Sequence, residues 1–187
     1  MSSKCIVFDR DGTLIKYHPY LFKEKNVQLV AGAREAIKNF KNRGFKIFLH
    51  TNQSGVSRGY YQLSDVINCN NKMIELLNLG DSIFEKICIA TDYPPGRDSY
   101  RKPSPKFGNE IINEYKINRD DLIYVGDNIT DLETAENIGC KAYGVNYGEP
   151  RLEKLLKNRK EMKYKIFGTL NEVCSEIINN KKRDNES

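Results

Sequence analysis

The sequence predicts an α/β domain built on a doubly wound parallel sheet. Short, nearly uninterrupted apolar runs recur along the chain, amphipathic segments of helical period separate them, and several runs end abruptly in polar groups. Strands covered on both faces lose the alternation of half-exposed strands, so such runs suit a parallel sheet. Their alternation with helical segments selects a sheet wrapped by helices over an all-helical or all-strand fold.

The first expected strand is CIVF (5–8). AREAIKNFKNRG (33–44) follows as a helix, because Ala33, Ile37 and Phe40 recur every three to four residues and Gly44 suits its end. FKIFL (45–49) is the second strand, and SDVINCNNKMIELLNLG (64–80) the second helix, with Ser64 as N-cap and Gly80 at its close. IFEKICIA (83–90) supplies a third strand. Ser104 and Pro105 then open a helix containing Ile111, Ile112 and Tyr115. LIYV (122–125) is a strand, Thr130 to Ile138 a short helix, and AYGV (142–145) a weaker strand. A helix around 152–157, a strand at 165–167 and a helix at 170–178 complete the pattern. Residues 15–30 and 91–103 stay irregular, and neither is long enough for a separate cap. With no repeat, low-complexity tract or linker, residues 1–180 read as one domain and 181–187 as a disordered tail.

Composition narrows the possibilities. The chain has 187 residues, 39% hydrophobic and 29% charged, which excludes wholesale disorder. No apolar run approaches the roughly 20 residues that span a bilayer, and MSSKCIVFDRDG lacks the apolar core of a signal peptide. A cytoplasmic location is expected, with no membrane partner. Cys5, Cys69, Cys88, Cys140 and Cys174 are odd in number and widely spaced, which suits reduced thiols. The net charge of +5 draws on KLLKNRKEMKYK (154–165) and KKR (181–183), expected as a solvated face and a frayed tail.

Open α/β sheets bind ligands beyond the carboxyl ends of their strands. CIVF runs into Asp9, Arg10, Asp11, Gly12 and Thr13; FKIFL into His50, Thr51 and Asn52; and LIYV into Gly126, Asp127 and Asn128. If those strands are neighbours, their carboxylates crowd one crevice and repel one another unless a cation neutralises them. Hard carboxylate oxygens select Mg²⁺. A metal attracts phosphate, whose remaining charge needs the Thr51 hydroxyl, backbone N–H groups and a lysine. Lys102, in the loop after the third strand, fits that need. Together these groups suit phosphoryl transfer to Asp9, with Asp11 as proton donor and acceptor. Taken singly, the segments also read as an Asx-turn, a polar loop and an N-capped helix start. Their common placement after strands decides for the joint site. His50 is expected as a packed residue and His18 as a solvated one.

FDRDGTL (8–14), HTNQSG (50–55), RKP (101–103) and VGDNITD (125–131) resemble the four motifs of the haloacid dehalogenase superfamily of phosphatases, over nearly the whole chain. The resemblance implies a Rossmann-like core without a cap and Asp9 as nucleophile. It also implies Asp11 as acid/base whose backbone carbonyl binds Mg²⁺, Thr51 and Lys102 on phosphate, Asp127 as a further metal ligand and Asp131 in support. Arg10, YLFKEKNVQLVAGAREAI (20–37) and TNQSGVSRGYY (51–61) are similar to the small capless group of heptose bisphosphate and histidinol-phosphate phosphatases. That likeness implies substrate contacts from Asn52, Ser54 and Arg101, with Arg58, Gly59 and Tyr60 near the mouth. Members of the group commonly carry a zinc-stabilised loop before RKP. Here ATDYPPGRDSY (90–100) has neither cysteine nor histidine, so no structural zinc is expected and Cys88 reads as a strand-end core residue. The expected enzyme is a monomer that removes the 7-phosphate from a heptose bisphosphate. The alternatives are histidinol phosphate and a polynucleotide 3′-phosphate, although nucleic acid is not the expected partner.

Overall fold

The computed structural model describes residues 4–147, 152, 154 and 164–184. Its sheet is formed by β1 (Cys5–Phe8), β2 (Lys46–Asn52), β3 (Lys86–Ala90), β4 (Leu122–Gly126), β5 (Lys141–Val145) and β6 (Lys165–Phe167). The strand order is β3-β2-β1-β4-β5-β6, and every neighbouring pair is parallel. The chain winds outward from β1 to β3, then returns to β1's other side with β4. The strand order therefore reverses between β1 and β4, where a crevice opens beyond the carboxyl ends.

Helices α1 (Ala33–Asn42), α2 (Leu63–Leu77), α3 (Lys106–Tyr115), α4 (Ile129–Ile138) and α5 (Leu170–Asp184) cover the sheet. Alternate residues of β1 feed two cores. Ile6 and Phe8 join Ile37 and Phe40 of α1, Met73 of α2 and Val173 of α5 on one face. Cys5 and Val7 join Phe107 and Ile111 of α3 and Ile138 of α4 on the other. This burial on both faces is why the strands read as continuous apolar runs.

The helix around 152–157 apart, the expected elements are present among the described residues, and they differ at several ends: β2 runs on to Asn52, β3 begins only at Lys86, and the helices α2 and α5 end differently. The cap of α2 is Gln62, whose N–H is accepted by Asp65 Oδ2 at 2.8 Å, so Ser64 lies inside the first turn. The same helix closes on Asn78 in the left-handed region at φ 48°, two residues before Gly80. Helix α5 continues beyond Ile178 to Asp184, into the segment expected as tail, because no Gly or Pro interrupts it. Of the helix expected around 152–157 only Leu152 and Lys154 are described, both helical, and most of the basic stretch 154–165 lies outside the described residues. All five cysteines are free thiols. No described helix is long and apolar enough to cross a membrane.

Candidate active site

Asp9 follows β1 directly, and its N–H donates to Val125 O of β4 at 2.9 Å, which fixes it at the sheet's reversal. Asp127 follows β4. Oxygens of Asp9, Asp127 and Asp131 lie within 4.8 Å of one another. Two glycines make this closeness possible. Gly12 turns at φ 83°, and a Cβ there would land on the Asp127 carboxylate. A Cβ on Gly126 would land on Asp131. A cradle of hard oxygens with no room for another carbon fits Mg²⁺.

Lys102 reaches this cluster from the loop before α3. Its buried Nζ donates to Asp9 Oδ1 at 2.7 Å, Asp131 Oδ1 at 2.5 Å and His50 O at 2.8 Å. Against the lowering effect of burial, Asp131 and Asp9 raise the Lys102 ammonium above its ordinary range, so it stays charged. Burial pushes the Asp9 carboxyl up to about 7, with Lys102 opposing and Asp131 and Asp11 adding to the rise. A cation beside Asp9 favours its carboxylate form. Asp131 is oriented from its other oxygen, which accepts the Asn128 N–H at 3.0 Å as part of the cap of α4.

The crevice holds about 330 Å³ and is lined by Asp9, Asp11, Asn52, Ser54, Arg101, Lys102 and Asp127, the residues expected there from sequence. Thr51 stands behind them, fully buried. Its hydroxyl accepts from Gln53 Nε2 at 2.8 Å and donates to Asp11 Oδ2 at 3.4 Å. Asn52 clamps the lysine's main chain, since its Oδ1 accepts from Lys102 N at 2.9 Å and its Nδ2 donates to Lys102 O at 3.1 Å. Arg101 keeps a buried Nη1 with no hydrogen-bond partner among the described residues. His50 packs against Phe107 behind the site, whereas His18 is exposed at the mouth.

A family model for haloacid dehalogenase-like hydrolases matches residues 13–145. The chain is a haloacid dehalogenase-like hydrolase. The hydrolase is 30% identical over 148 residues to D-glycero-beta-D-manno-heptose-1,7-bisphosphate 7-phosphatase of Haemophilus ducreyi, a match covering 75% of the chain and 81% of the relative. It is 28% identical to the alpha-anomer 7-phosphatase of Campylobacter jejuni, over 73% of the chain and 78% of the relative. In fold it is similar to the D,D-heptose 1,7-bisphosphate phosphatase from B. bronchiseptica, solved with magnesium and phosphate. That structure superposes with a TM-score of 0.83 at 23% identity, over 95% of this chain and 99% of the other.

Several functional partners in the hydrolase were beyond the sequence reading. Arg10 and Gln53 both grip Asp11, and Asn70 and Tyr61 anchor them from α2 and the loop before it. The signal for Arg10 is a charged residue just two positions past a fully buried strand, which needs a partner nearby. The loop without zinc ligands is tied by protein groups. Ser57 Oγ donates to Thr91 O at 2.5 Å, the Arg58 guanidinium lies 3.5 Å over the Tyr93 ring, and the Tyr100 hydroxyl bonds to Glu110. Tyr60 meets the ring of Tyr20, a residue of the crevice lining, edge-on at 4.8 Å, while residues 58–60 themselves do not line the crevice. Cys88 sits in the middle of β3 rather than at its end.

Proposed function

We propose that the protein is a Mg²⁺-dependent phosphomonoesterase that removes the 7-phosphate of D-glycero-D-manno-heptose 1,7-bisphosphate through an aspartyl-phosphate on Asp9. The observation that carries the chemistry is the buried Lys102 ammonium held between Asp9 and Asp131, with Asp127 across the crevice. That arrangement offers a nucleophile, a fixed positive charge and a metal cradle to one phosphoryl group.

Asp9, Asp127 and the Asp11 backbone carbonyl would hold the metal. When bound, Mg²⁺ screens the charge on the phosphoryl oxygens and so lets an anionic carboxylate approach them. Lys102 orients the Asp9 carboxylate by holding Oδ1. Asp9 attacks phosphorus, the bond from phosphorus to the ester oxygen breaks, and the Asp11 carboxyl delivers a proton to the departing alkoxide. Asp11, now a carboxylate, takes a proton from water as that water attacks the phosphoenzyme, and inorganic phosphate leaves with Asp9 restored. Thr51, Asn52 and Ser54 line or back the phosphate side. The unpaired Arg101 Nη1 supports a substrate with a second anionic group. The relatives' names supply the heptose, and the 91–103 loop, tied to Ser57, Arg58 and Glu110, has no cysteine or histidine with which to hold zinc.

The test is phosphate release with Mg²⁺ or EDTA from both heptose 1,7-bisphosphate anomers, histidinol phosphate and a 3′-phosphorylated oligonucleotide, with Asp9→Asn as blank. A kcat/KM preference for one heptose anomer is expected, abolished by EDTA. Preference for either other ester would overturn the substrate, and turnover by Asp9→Asn would overturn the covalent route.

A further inference from the structure

Among the described residues the largest fully buried side chain is Arg10, which takes no part in the steps proposed for Asp9 and Asp11. A guanidinium is charged at any physiological pH, and withdrawing it from water costs several kcal/mol unless its donors are matched. Here they are matched. Nε donates to Asp11 Oδ2 at 3.0 Å, Nη2 to Asp11 Oδ1 at 3.1 Å and Nη1 to Asn70 Oδ1 at 3.0 Å. The fork fixes the plane of the carboxyl group. Side-chain exposure is 0% for Arg10 and 18% for Asp11, so the buried partner presents the other to the crevice. Buried ion pairs are a weak source of stability, and an apolar pair would fill this space at less cost.

The bonds to Asp11 are uneven. Oδ2 receives Arg10 Nε, Gln53 Nε2 at 2.8 Å and the Thr51 hydroxyl at 3.4 Å. Oδ1 receives only the Arg10 Nη2 bond among the described residues. Gln53 is itself held, because its Oε1 accepts from the Tyr61 hydroxyl at 3.0 Å. Two arms, each anchored in the core, thus load Oδ2 with several donors, whereas Oδ1, with the one bond from Arg10 Nη2, keeps a lone pair for proton exchange.

We propose that Arg10, anchored by Asn70, is a positioning residue that works with Gln53 to hold Asp11 by Oδ2, so that Oδ1 passes the proton to the leaving oxygen and takes it from water. This rests on the reading of Asp11 as the acid/base. The chemistry supplies a readout that a role in folding would not move. An alkoxide needs its proton in order to leave, whereas p-nitrophenolate departs without one.

The experiment compares kcat and KM of wild type, Arg10→Met, Arg10→Lys, Gln53→Met and Asp11→Asn on a sugar phosphate and on p-nitrophenyl phosphate. Circular dichroism and thermal melts check the fold. Arg10→Met should lose roughly 10²-fold in kcat/KM on the sugar phosphate, at least roughly tenfold more than on the aryl ester, because kcat/KM reports the step in which the alcohol leaves and not the hydrolysis of the phosphoenzyme common to both. Arg10→Lys keeps the charge without the fork and should show the same selectivity. If Arg10→Met does not fold, Arg10→Lys and Gln53→Met carry the test by the same criterion. Equal losses on both esters in folded variants, beside a selective loss in Asp11→Asn, overturn this proposal alone. No selectivity in Asp11→Asn overturns the acid/base reading and this proposal with it.

Discussion

Replacing His50 by glutamine should remove a pH-dependent component of stability. His50 is fully buried in β2, with Nε2 2.8 Å from Tyr100 O, Nδ1 3.4 Å from the Tyr124 hydroxyl and its ring against Phe107. The Tyr100 carbonyl can only accept, so Nε2 carries the ring proton. Burial, followed by the neighbouring Lys102 ammonium, pushes the imidazole down from 6.5 to about 3, and the bond to Tyr100 offsets only part of this. Between those values the unfolded chain binds a proton that the folded chain excludes. Stability from the neutral ring is therefore complete above about pH 6.5 and is lost as pH falls toward 3. Each unit in that window is worth about 1.4 kcal/mol. Moving from about pH 7.5 to about pH 5 should cost the wild type about 2 kcal/mol, or roughly 4–8 °C in Tm. Urea melts of metal-free wild type and His50→Gln at both pH values isolate the effect, because the other titrating groups are common to the two proteins. Glutamine can still donate to Tyr100 O and does not titrate. Parallel losses in the two proteins would refute the argument.

Gly12→Ala combines a positive φ, which costs about 1 kcal/mol, with a Cβ directed at the Asp127 carboxylate. The Mg²⁺ concentration for half-maximal activity should rise at least roughly tenfold while the melt shifts only a few degrees; an unchanged metal requirement would sink the cradle. Asn52→Leu removes both bonds to the Lys102 main chain and strands its N–H and C=O, at about 1–3 kcal/mol. Inhibition by inorganic phosphate should weaken roughly tenfold or more, as read from the inhibition constant, and an unchanged constant would remove the clamp from phosphate binding.

The parts of the fold that sequence discloses are those governed by neighbours along the chain. Ile6, Phe8, Ile37 and Phe40 show their burial through spacing alone, since strand and helix periods are local. Asp9, Thr51 and Asp127 are legible because each follows an apolar run that ends abruptly. Helix ends are less so. Gln62 and Asn78 take the cap positions in α2 through hydrogen bonds and a left-handed turn that Ser64 and Gly80 also suit by residue type. The Asp11 grip joins Arg10 to Asn70, 60 residues away, and the Lys102 clamp joins Asn52 to a residue 50 away. No local periodicity encodes such pairs.

Strand β2 shows how the two kinds of information meet. His50 and Asn52, two residues apart, share one face of the strand and hold the 100–102 backbone through Tyr100 O, Lys102 N and Lys102 O. The His50 carbonyl adds a bond to Lys102 Nζ. Thr51, between them, points the opposite way, where Gln53 and Asp11 meet its hydroxyl. A strand's alternation thus assigns one face to Lys102 and the other to Asp11. Slipping the strand by one residue would exchange these roles and bury the wrong polar groups. Asn52 lines the crevice and Thr51 stands buried behind Asp11, so adjacency in a strand sends two residues expected on substrate to different sides of the site.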